Sequence, residues 1–364
     1  MKVVVGMSGG VDSAVAAYLL KKEGYEVVGL FMKNWDSNIN NDPEGITEGI
    51  CPQEQDYKDA KDVCDELGIV LYRVDFIKEY WDDVFKYFLE ELEKGRTPNP
   101  DIMCNKYIKF DKFKKEAKKL GADKIATGHY AKIEGNRLLR AKDKNKDQTY
   151  FLSQVTIEQL KDVIFPLGDL TKPEVRQIAE EIGLPVAKKK DSTGICFIGE
   201  RHYQQFVSNY LKGKSGDIIN VETLEKVGTH NGLMNYTIGQ RRNVGLSGDE
   251  KRHYVCGKDS KKNVLYVAYG DDSKYLLSDE ALIESMNYIS SKHPTFATAK
   301  FRYRSEDVPI TIEYIDETHI KVKYTDGKAV TPGQACVIYL GEQVIGGGII
   351  SKVYKNNEEL WYLK

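Results

Sequence analysis

A turn rich in glycine and serine stands near the start of the chain, where residues 6–13 read GMSGGVDS. Val3–Val5 predicts a strand before this turn, and the apolar spacing of Ala14–Lys22 predicts a helix after it. Glu26–Met32 predicts the next strand. A strand, a helix and a second strand in this order form a βαβ unit, and such units build parallel sheets covered by helices. The first part of the chain is therefore constrained to an α/β architecture.

The same turn has the composition of an anion site. Free backbone amides and the positive end of the helix dipole face an anion at a helix N-terminus. Gly9 and Gly10 let phosphate oxygens approach the backbone, Ser8 and Ser13 add hydroxyl donors. Asp12 is expected to cap the helix or to hold a magnesium ion. The turn contains no lysine, which favours a site for pyrophosphate over a Walker-type loop; an ordinary capped turn is the alternative.

The alternation of strands and helices continues through the first half of the chain. Further helices are predicted over Gln53–Leu67, over Tyr80–Leu92 and up to Leu120, and further strands over Ile69–Phe76 and Lys124–Thr127. The expected fold is a doubly wound, Rossmann-like parallel sheet. Its ligands are expected beyond the carboxyl ends of the strands.

From about Gly213 the pattern changes to short alternating runs separated by Gly, Asp and Lys. The predicted strands include Tyr254–Gly257, Asn263–Ala268, Thr298–Tyr303, Ile310–Tyr314, Ile320–Tyr324 and Ala335–Tyr339. The spacing of the runs between residues 295 and 352 suits a small β-barrel. Because 364 residues exceed the usual size of one core, we expect three domains, at 1–205, 206–278 and 279–364.

Composition and charge limit the partners. No apolar run approaches the roughly 20 residues of a membrane helix, so we expect a cytoplasmic protein without a membrane partner. The net charge of −2 gives no global attraction to nucleic acid, so an RNA partner needs a local basic face. The six cysteines are scattered without a CxxC pair, which argues against structural zinc and for reduced thiols.

Two of the cysteines stand in segments that suggest chemistry. Cys104 follows Asp101 by three residues in a loop stiffened by prolines; nearby lysines would favour its thiolate, and Asp101 could move a proton. A packed cysteine explains Cys104 equally well. Cys196 lies between Gly194 and Gly199, after the basic run Lys188–Lys190, where an exposed thiol suits a sulfur carrier. A buried loop cysteine is the alternative there.

The other cysteines show no such surroundings. Cys64 lies on an apolar helix face, and Cys256 and Cys336 lie in apolar β runs, so we expect these three to be structural. Cys51 belongs to a stretch rich in Gly, Asn and Asp and receives no role.

The turn SGGVDS resembles the signature of the PP-loop ATP pyrophosphatase superfamily, whose members adenylate a carbonyl oxygen. Further segments extend the resemblance over nearly the whole chain: GRTPNPDIMCNKYIKF, ATGHYA, KDQTYFL, DSTGICFIG, TIGQRRNVG, FRYR and AVTPGQACVIY. Together they resemble the bacterial tRNA-specific 2-thiouridylase family. The resemblance implies a PP-loop domain, a small mixed or β central domain and a C-terminal β-barrel.

The resemblance also implies a reaction, in which ATP with Mg²⁺ adenylates O2 of a wobble uridine and sulfur displaces AMP. Cys196 would carry the sulfur as a persulfide loaded by a sulfur-relay protein, Cys104 would resolve it, and Asp101 would be the acid or base. The implied nucleotide contacts are Gly6, Met7, Ser8, Gly9, Gly10, Val11, Asp12, Ser13, Met32 and Gly128. We expect a monomer.

For tRNA, the resemblance implies that the target base meets Asn99, Pro100 and Asp101. The other implied contacts are His129, Lys146, Asp147, Gln148, Arg302, Tyr303 and Gln334. From the pattern alone, Arg302 and Arg304 share one face of a predicted strand and Tyr303 takes the other. A solvated strand face is as good an interpretation of that pattern as RNA contact.

Two other functions fit parts of the sequence. A different PP-loop enzyme, such as an amidotransferase-type synthetase or argininosuccinate synthase, adenylates a carbonyl but uses nitrogen and needs no cysteine pair. A non-catalytic tRNA-binding protein with a regulatory ATP site is the second alternative.

Overall fold

A computed structural model describes residues 1–42, 52–191, 203–246 and 252–364. Cys51 and Cys196 lie outside these ranges, so their predicted environments are not part of the described structure. The chain forms two compact units. The first comprises Met1–Phe85, Pro100–His202 and Glu342–Val344, and the second Lys86–Asn99, Tyr203–Gly341 and Ile345–Lys364.

Helices and strands alternate in the first half of the chain. In chain order they are β1 (Lys2–Met7), α1 (Val11–Lys22), β2 (Glu26–Lys33), α2 (Pro52–Leu67), β3 (Val70–Asp75), α3 (Ile77–Tyr80), α4 (Lys86–Glu93), α5 (Pro100–Met103), α6 (Phe113–Lys119), β4 (Lys124–Ala126), β5 (Lys132–Glu134), β6 (Arg137–Leu139), α7 (Ile157–Leu160), β7 (Val163–Ile164) and α8 (Lys172–Glu181). Of these, α4 belongs to the second unit.

The first unit is built on a parallel sheet in the order β3-β2-β1-β4-β7, which confirms the predicted doubly wound fold. Its central strand β1 pairs with β2 from Lys2 opposite Glu26 to Met7 opposite Phe31. Val3, Val4 and Val5 are fully buried, as expected of a parallel strand covered on both faces. Helix α1 packs against both the sheet and α8, so the turn between β1 and α1 opens at the carboxyl edge of the sheet.

Two helical segments depart from the predicted pattern. The helix predicted over Tyr80–Leu92 is divided, because a π-helical turn at Trp81–Phe85 separates α3 from α4. A second π-helical stretch, Cys104–Lys112, joins α5 to α6. Its wider turn changes which side chains share a face, and apolar spacing does not reveal such a change. π-Bulges in helices frequently mark functional sites.

The second half of the chain is mostly β. Its elements are α9 (Tyr203–Ser208), β8 (Gly216–Asn220), β9 (Lys226–His230), β10 (His253–Asp259), β11 (Val264–Tyr269), β12 (Leu277–Tyr288), β13 (Phe296–Lys300), β14 (Val308–Tyr314), β15 (Ile320–Lys328), β16 (Ala335–Leu340), β17 (Gln343–Lys355) and β18 (Glu358–Glu359). A mixed four-stranded sheet, in the order β10-β11-β8-β9, forms the central part.

A closed barrel follows. Its strands run in the order β12-β15-β14-β13-β16-β17, and β17 pairs back with β12. The barrel core contains Ile283, Ile312, Val322, Ile338 and Ile350, all almost completely buried. Closure removes the free edges that an open sheet of this size would present.

One predicted strand is too long. Thr298–Tyr303 was expected to be extended, but β13 ends at Lys300 and the next residues form a turn, with Arg304 at φ +64°. The prediction that Arg302 and Arg304 share one strand face is therefore wrong. Arg304 instead lies over the ring of Tyr303, at 5.3 Å from its centroid.

The described cysteines are reduced and buried. Burial raises the pKa of Cys64 to about 11 and raises the pKa values of Cys256 and Cys336 even further, so these three are structural thiols as predicted. No helix in the described part of the chain is long and apolar enough to cross a membrane.

Candidate active site

The turn between β1 and α1 is held in shape by its two serines. Ser13 Oγ accepts a hydrogen bond from the Ser8 amide at 3.2 Å, lies 3.1 Å from Ser8 Oγ and donates to the Gly10 carbonyl at 3.0 Å. Gly10 precedes α1 in an extended conformation, and no side chain among the described residues caps the helix. The prediction that Asp12 caps α1 is therefore wrong, and the first amides of the helix are left for a ligand.

Close backbone approach explains the glycine at position 9. Gly9 has φ +71°, and a Cβ atom there would lie 2.2 Å from the Asp56 carbonyl oxygen. Gly128 approaches the turn from the strand end after β4, since a Cβ atom there would lie 2.8 Å from the Ser13 nitrogen. The structure thus brings Gly128 to the predicted phosphate turn. Met32 lies half-buried on β2, two positions after Leu30.

Asp12 points its carboxylate into an ionic cluster. Its Oδ1 accepts a hydrogen bond from Tyr130 Oη at 2.8 Å and one from Lys172 Nζ at 2.7 Å. The Lys172 side chain is only 10% exposed, although it stands in the first turn of α8, where the helix dipole disfavours a cation. Two carboxylates compensate for this position, because Lys172 Nζ also lies 2.8 Å from Asp191 Oδ1.

Asp191 is the common partner of three cations. Lys146 Nζ and Arg176 Nη2 lie 2.5 Å and 2.6 Å from its carboxylate, in addition to Lys172. Burial would raise the pKa of Asp191, but the hydrogen bonds from Lys146 and Lys172 outweigh it and lower that pKa to about 2. Asp191 is therefore ionised at neutral pH and keeps Lys172 beside the turn.

A second lysine contacts the backbone of the turn. Lys189 Nζ donates to the Gly9 carbonyl at 3.0 Å and lies 2.8 Å from Asp56 and 2.5 Å from Asp59. Burial would lower the pKa of Lys189, but the hydrogen bonds to the two aspartates raise it, so the ammonium stays charged. Lys189, one member of the basic run 188–190, thus contacts the predicted phosphate turn.

Lys172, Lys189, Tyr130 and Asp191 were not predicted as site residues. One signal was available: Thr171-Lys172-Pro173-Glu174 is a capping box with proline in the first turn, and Thr171 and Glu174 form both reciprocal bonds. That motif locates the start of α8. It does not reveal that α8 packs against α1.

Cys104 and Asp101 lie on consecutive helical turns. Asp101 belongs to α5 and is partly exposed, whereas Cys104 begins the π-helical stretch and is 1% exposed. The neighbouring Asn105 donates from Nδ2 to the Phe151 carbonyl at 3.0 Å. Lys106, expected to act on the thiol, directs its ammonium to Gln154 Oε1 at 3.2 Å. Cys196, the other thiol of the predicted pair, lies outside the described residues.

The residues after β4 form a buried polar layer. His129 is 7% exposed, its Nδ1 lies 2.8 Å from Thr127 Oγ1, and its ring packs against both Phe110 and Phe165. Burial holds the pKa of His129 well below its usual value, so the imidazole is neutral.

Residues 146–148 also make internal contacts. Lys146 binds Asp191, and Asp147 accepts hydrogen bonds from the Ala141 amide and Thr149 Oγ1. Burial raises the pKa of Asp147. Gln148 Oε1 accepts from the Tyr130 amide at 3.0 Å. The tRNA contacts predicted for these residues and for His129 remain predictions.

Four of the other predicted tRNA residues, Asn99, Arg302, Tyr303 and Gln334, belong to the second unit, whereas Pro100 and Asp101 belong to the first. Asn99 is partly exposed, but its Oδ1 is buried and has no hydrogen-bond partner among the described residues. Arg302 donates to the Ile238 carbonyl at 3.1 Å and approaches Thr331 Oγ1 at 3.4 Å. Gln334 is 9% exposed and donates from Nε2 to the Thr97 carbonyl at 2.7 Å.

Three family models match consecutive parts of the chain. The model described as the tRNA methyl transferase HUP domain matches residues 1–200, the tRNA methyl transferase PRC-barrel domain matches 204–269, and the aminomethyltransferase beta-barrel domain matches 278–350. They correspond to the parallel sheet, the central sheet and the closed barrel.

Relatives match the chain from end to end. A protein of Metamycoplasma arthritidis named tRNA-specific 2-thiouridylase MnmA is 55% identical over 100% of this chain and 99% of its own length. One of Lysinibacillus sphaericus with the same name is 52% identical over 100% of this chain and 97% of its own. Among solved structures, a 4-thiouridine synthetase in complex with RNA and ATP matches with a TM-score of 0.35 at 18% identity, covering 57% of this chain and 51% of that one. From the full-length relatives, the chain belongs to the tRNA-specific 2-thiouridylase family.

Proposed function

We propose that this chain uses ATP to convert a wobble uridine of tRNA into 2-thiouridine, with AMP and pyrophosphate as the other products. The observation that carries the proposal is the turn at residues 8–13, where no side chain in the described part of the structure caps α1 and Gly9 has no room for a side chain. Such a turn offers backbone amides to phosphate oxygens. Relatives named for this reaction align over the whole chain.

The first step activates a poor electrophile. The C2 carbonyl of uridine is flanked by two nitrogens, so its oxygen attacks the α-phosphate of ATP, and AMP then becomes a good leaving group. The amides of the turn would bind the phosphates, and Lys172 would offset the charge that develops on departing pyrophosphate. This lysine supplies the cation that the turn itself lacks.

Magnesium would accompany the nucleotide. Among the described residues no group of three or more His, Cys, Asp or Glu could hold a metal ion alone. Asp12 is the carboxylate of the turn, its side chain is 32% exposed, and magnesium prefers oxygen ligands shared with phosphates. We propose that Asp12 and the phosphates of ATP hold the magnesium ion together. The ion would neutralise phosphate charge.

The second step transfers sulfur. A sulfur-relay protein would load Cys196 as a persulfide, whose terminal sulfur attacks C2 and displaces AMP. Attack of the Cys104 thiolate on Cys196 Sγ would then break the S–S bond, leave sulfur on C2 and form a Cys104–Cys196 disulfide. An external thiol reductant would return both cysteines to thiols. Asp101, one helical turn before Cys104, would take up or donate the proton.

The target base would meet the segment Asn99–Asp101. Uridine N3 carries a proton that needs an acceptor in a pocket without water, and the buried Asn99 Oδ1 has no partner among the described residues. Contacts with the rest of the tRNA would come from His129, Lys146, Asp147, Gln148, Arg302 and Tyr303. We propose catalytic, central and tRNA-binding domains at 1–205, 206–278 and 279–364, in a cytoplasmic monomer.

The test is a reconstituted reaction with tRNA, ATP and a persulfide donor, followed by mass spectrometry of the wobble nucleoside. Wild type is expected to form 2-thiouridine and one pyrophosphate per product. Cys104→Ser and Cys196→Ser are expected to release pyrophosphate but to form no thiolated product over several turnovers. Cys64→Ser, which changes a buried thiol, is the matched control and is expected to keep activity. Unchanged thiolation in both variants would contradict the sulfur mechanism.

A further inference from the structure

A turn of the barrel, Thr331–Gln334, forms hydrogen bonds with the backbone of Thr97, just before the segment proposed to meet the target base. The Thr97 amide donates to the Pro332 carbonyl at 3.0 Å, and Gln334 Nε2 donates to the Thr97 carbonyl at 2.7 Å. Both polar groups of one peptide residue are therefore taken by the turn Thr331–Gln334. All of these residues belong to the second compact unit.

We propose that the turn Thr331–Gln334 positions Asn99 for catalysis, with Gln334 as the positioning residue. The inference rests on the proposed function, because it assigns the turn a role in that reaction. It differs from the predicted role of Gln334 as a tRNA contact. The Gln334 amide is turned inward and engaged with Thr97, rather than presented to solvent.

The fit between the two backbones leaves no space. Gly333 has φ +91°, and a Cβ atom there would lie 2.8 Å from the Thr97 nitrogen and 2.9 Å from Arg96 Cβ. Any other residue at position 333 would clash with residues 96 and 97 and would be strained at that φ. The glycine is therefore required by the contact with residues 96 and 97.

The turn itself is firmly attached to the barrel. The Gly333 amide donates to the Ile350 carbonyl at 2.9 Å, and the Ile350 amide donates back to the Gln334 carbonyl at 2.8 Å. Thr331, 2% exposed, donates from Oγ1 to the Ala329 carbonyl at 2.8 Å. Because these hydrogen bonds fix the turn Thr331–Gln334 to the barrel, the turn can hold Thr97 in one position.

An ion pair adds a second attachment one residue earlier. Arg96 Nη1 lies 2.8 Å from Glu284 Oε1 on β12 and 3.2 Å from Glu91 Oε2 on α4. The Glu91 side chain is only 5% exposed and also pairs with Lys94 at 2.7 Å, so Arg96 joins a buried carboxylate that is already held in place. The two attachments together define where residues 96 and 97 lie.

The prolines that follow Thr97 restrict the backbone around Asn99. Pro98 and Pro100 flank Asn99 and fix their own φ angles, so the segment has few backbone conformations once Thr97 is held. The proposed reaction assigns the buried Asn99 Oδ1, which has no hydrogen-bond partner within the described ranges, to the uridine. A shift of about 1 Å at such a group can cost about 100-fold in rate.

The test compares Gln334→Met with wild type in the thiolation assay. Loss of the amide is expected to lower kcat about tenfold at saturating tRNA, while the Kd for tRNA changes less than twofold. Gln240→Met is the matched control, because it removes an amide-to-carbonyl bond of 2.9 Å to Arg242 that does not involve Thr97. A rise in Kd with kcat unchanged would assign Gln334 to RNA contact and overturn the proposal.

Two further measurements separate positioning from a general loss of structure. In an Asn99→Ala background, Gln334→Met is expected to add less than a twofold effect on kcat, whereas additive losses would contradict the proposal. Hydrogen exchange in peptides containing Thr97 should accelerate in Gln334→Met, with an unchanged melting temperature. If Gln334→Met does not fold, Gln334→His replaces it in the experiment, because histidine keeps an N–H donor. The amides near Thr97 should then exchange at the wild-type rate. Faster exchange in Gln334→His would contradict the positioning role.

The exchange measurement also separates this inference from the proposed function. A wild-type protein that forms no 2-thiouridine with any persulfide donor refutes the function. Protection of the Thr97 amide that depends on Gln334 would still be seen in that case. Fast exchange of the Thr97 amide in an active wild-type enzyme would refute the positioning role of the turn Thr331–Gln334 but not the proposed function.

Discussion

Lys172 Nζ donates to Asp12 Oδ1 at 2.7 Å, which joins the first turn of α8 to the first turn of α1 across 160 residues of sequence. Both helix N-termini therefore open at one place. The dipole of α8 disfavours a lysine there, and the cluster of Asp12 and Asp191 accounts for its presence. A position that breaks a local rule in this way is expected at a functional site.

Replacement of this lysine should affect adenylation. Lys172→Met is expected to slow tRNA-dependent pyrophosphate release about 100-fold to 1,000-fold, the typical effect of removing one stabilising donor. Lys142→Met, which breaks the exposed 2.9 Å pair with Glu174, is the control and should stay within about twofold of wild type. A rate for Lys172→Met within threefold of wild type would exclude a role for this cation.

The shape of the phosphate turn can be tested with two glycines at positive φ. Gly9→Ala places a Cβ atom 2.2 Å from the Asp56 carbonyl oxygen, whereas Gly24→Ala at φ +86° meets nothing within 4 Å. Both variants carry backbone strain of about 1–3 kcal/mol. Only Gly9→Ala is expected to weaken ATP binding, by at least about tenfold in a titration. Equal affinities in the two variants would show that the close approach at Gly9 is unimportant.

A buried lysine in the central sheet should lower stability in a pH-dependent way. Lys258 is 4% exposed, and its Nζ has no hydrogen-bond partner among the described residues. Burial lowers the pKa of Lys258 from 10.5 to about 7. Between these two values the unfolded chain holds a proton that the folded protein has released, so the stability contributed by this site rises with pH. Below pH 7 the full cost of burying the charge is present.

Lys258→Met is therefore expected to stabilise the protein at pH 6 by about 1–3 kcal/mol, and by less at pH 9. Urea unfolding at a series of pH values measures the difference. Lys226→Met, which removes an exposed ammonium 2.6 Å from the partly exposed Asp217 of the same sheet, should change stability by less than about 0.5 kcal/mol at both pH values. Destabilisation by Lys258→Met at every pH would mean that the ammonium has a partner.

The burial of Cys104 predicts low thiol reactivity in the free protein. Cys104 is 1% exposed and Cys64 is fully buried. Alkylation by iodoacetamide at pH 8, followed by mass spectrometry, is expected to modify both at least about tenfold more slowly than in guanidinium. Rapid labelling of Cys104 in the folded protein would show that the segment Cys104–Lys112 opens readily without substrate. Cys64 serves as the internal control.

Local chemistry was sufficient for much of the architecture. The apolar run of β1, the GMSGGVDS turn and the helical spacing of α1 predict a strand, an anion-binding turn and a helix, because each signal lies within a few neighbouring residues. The structural character of Cys64, Cys256 and Cys336 follows in the same way from the apolar runs around them. The barrel, too, is visible as evenly spaced alternating runs.

Other features depend on residues that are far apart in the chain. The contacts of Lys172 with Asp12 and of Gln334 with Thr97 join positions separated by 160 and 237 residues, and no local pattern identifies such partners. The end of β13 at Lys300 is similar, since Arg302 turns to meet the Ile238 carbonyl. The type of each element follows from short-range preferences of the backbone and side chains. Which charges and amides pair is decided by packing, because a buried polar group must find a partner wherever the fold places one.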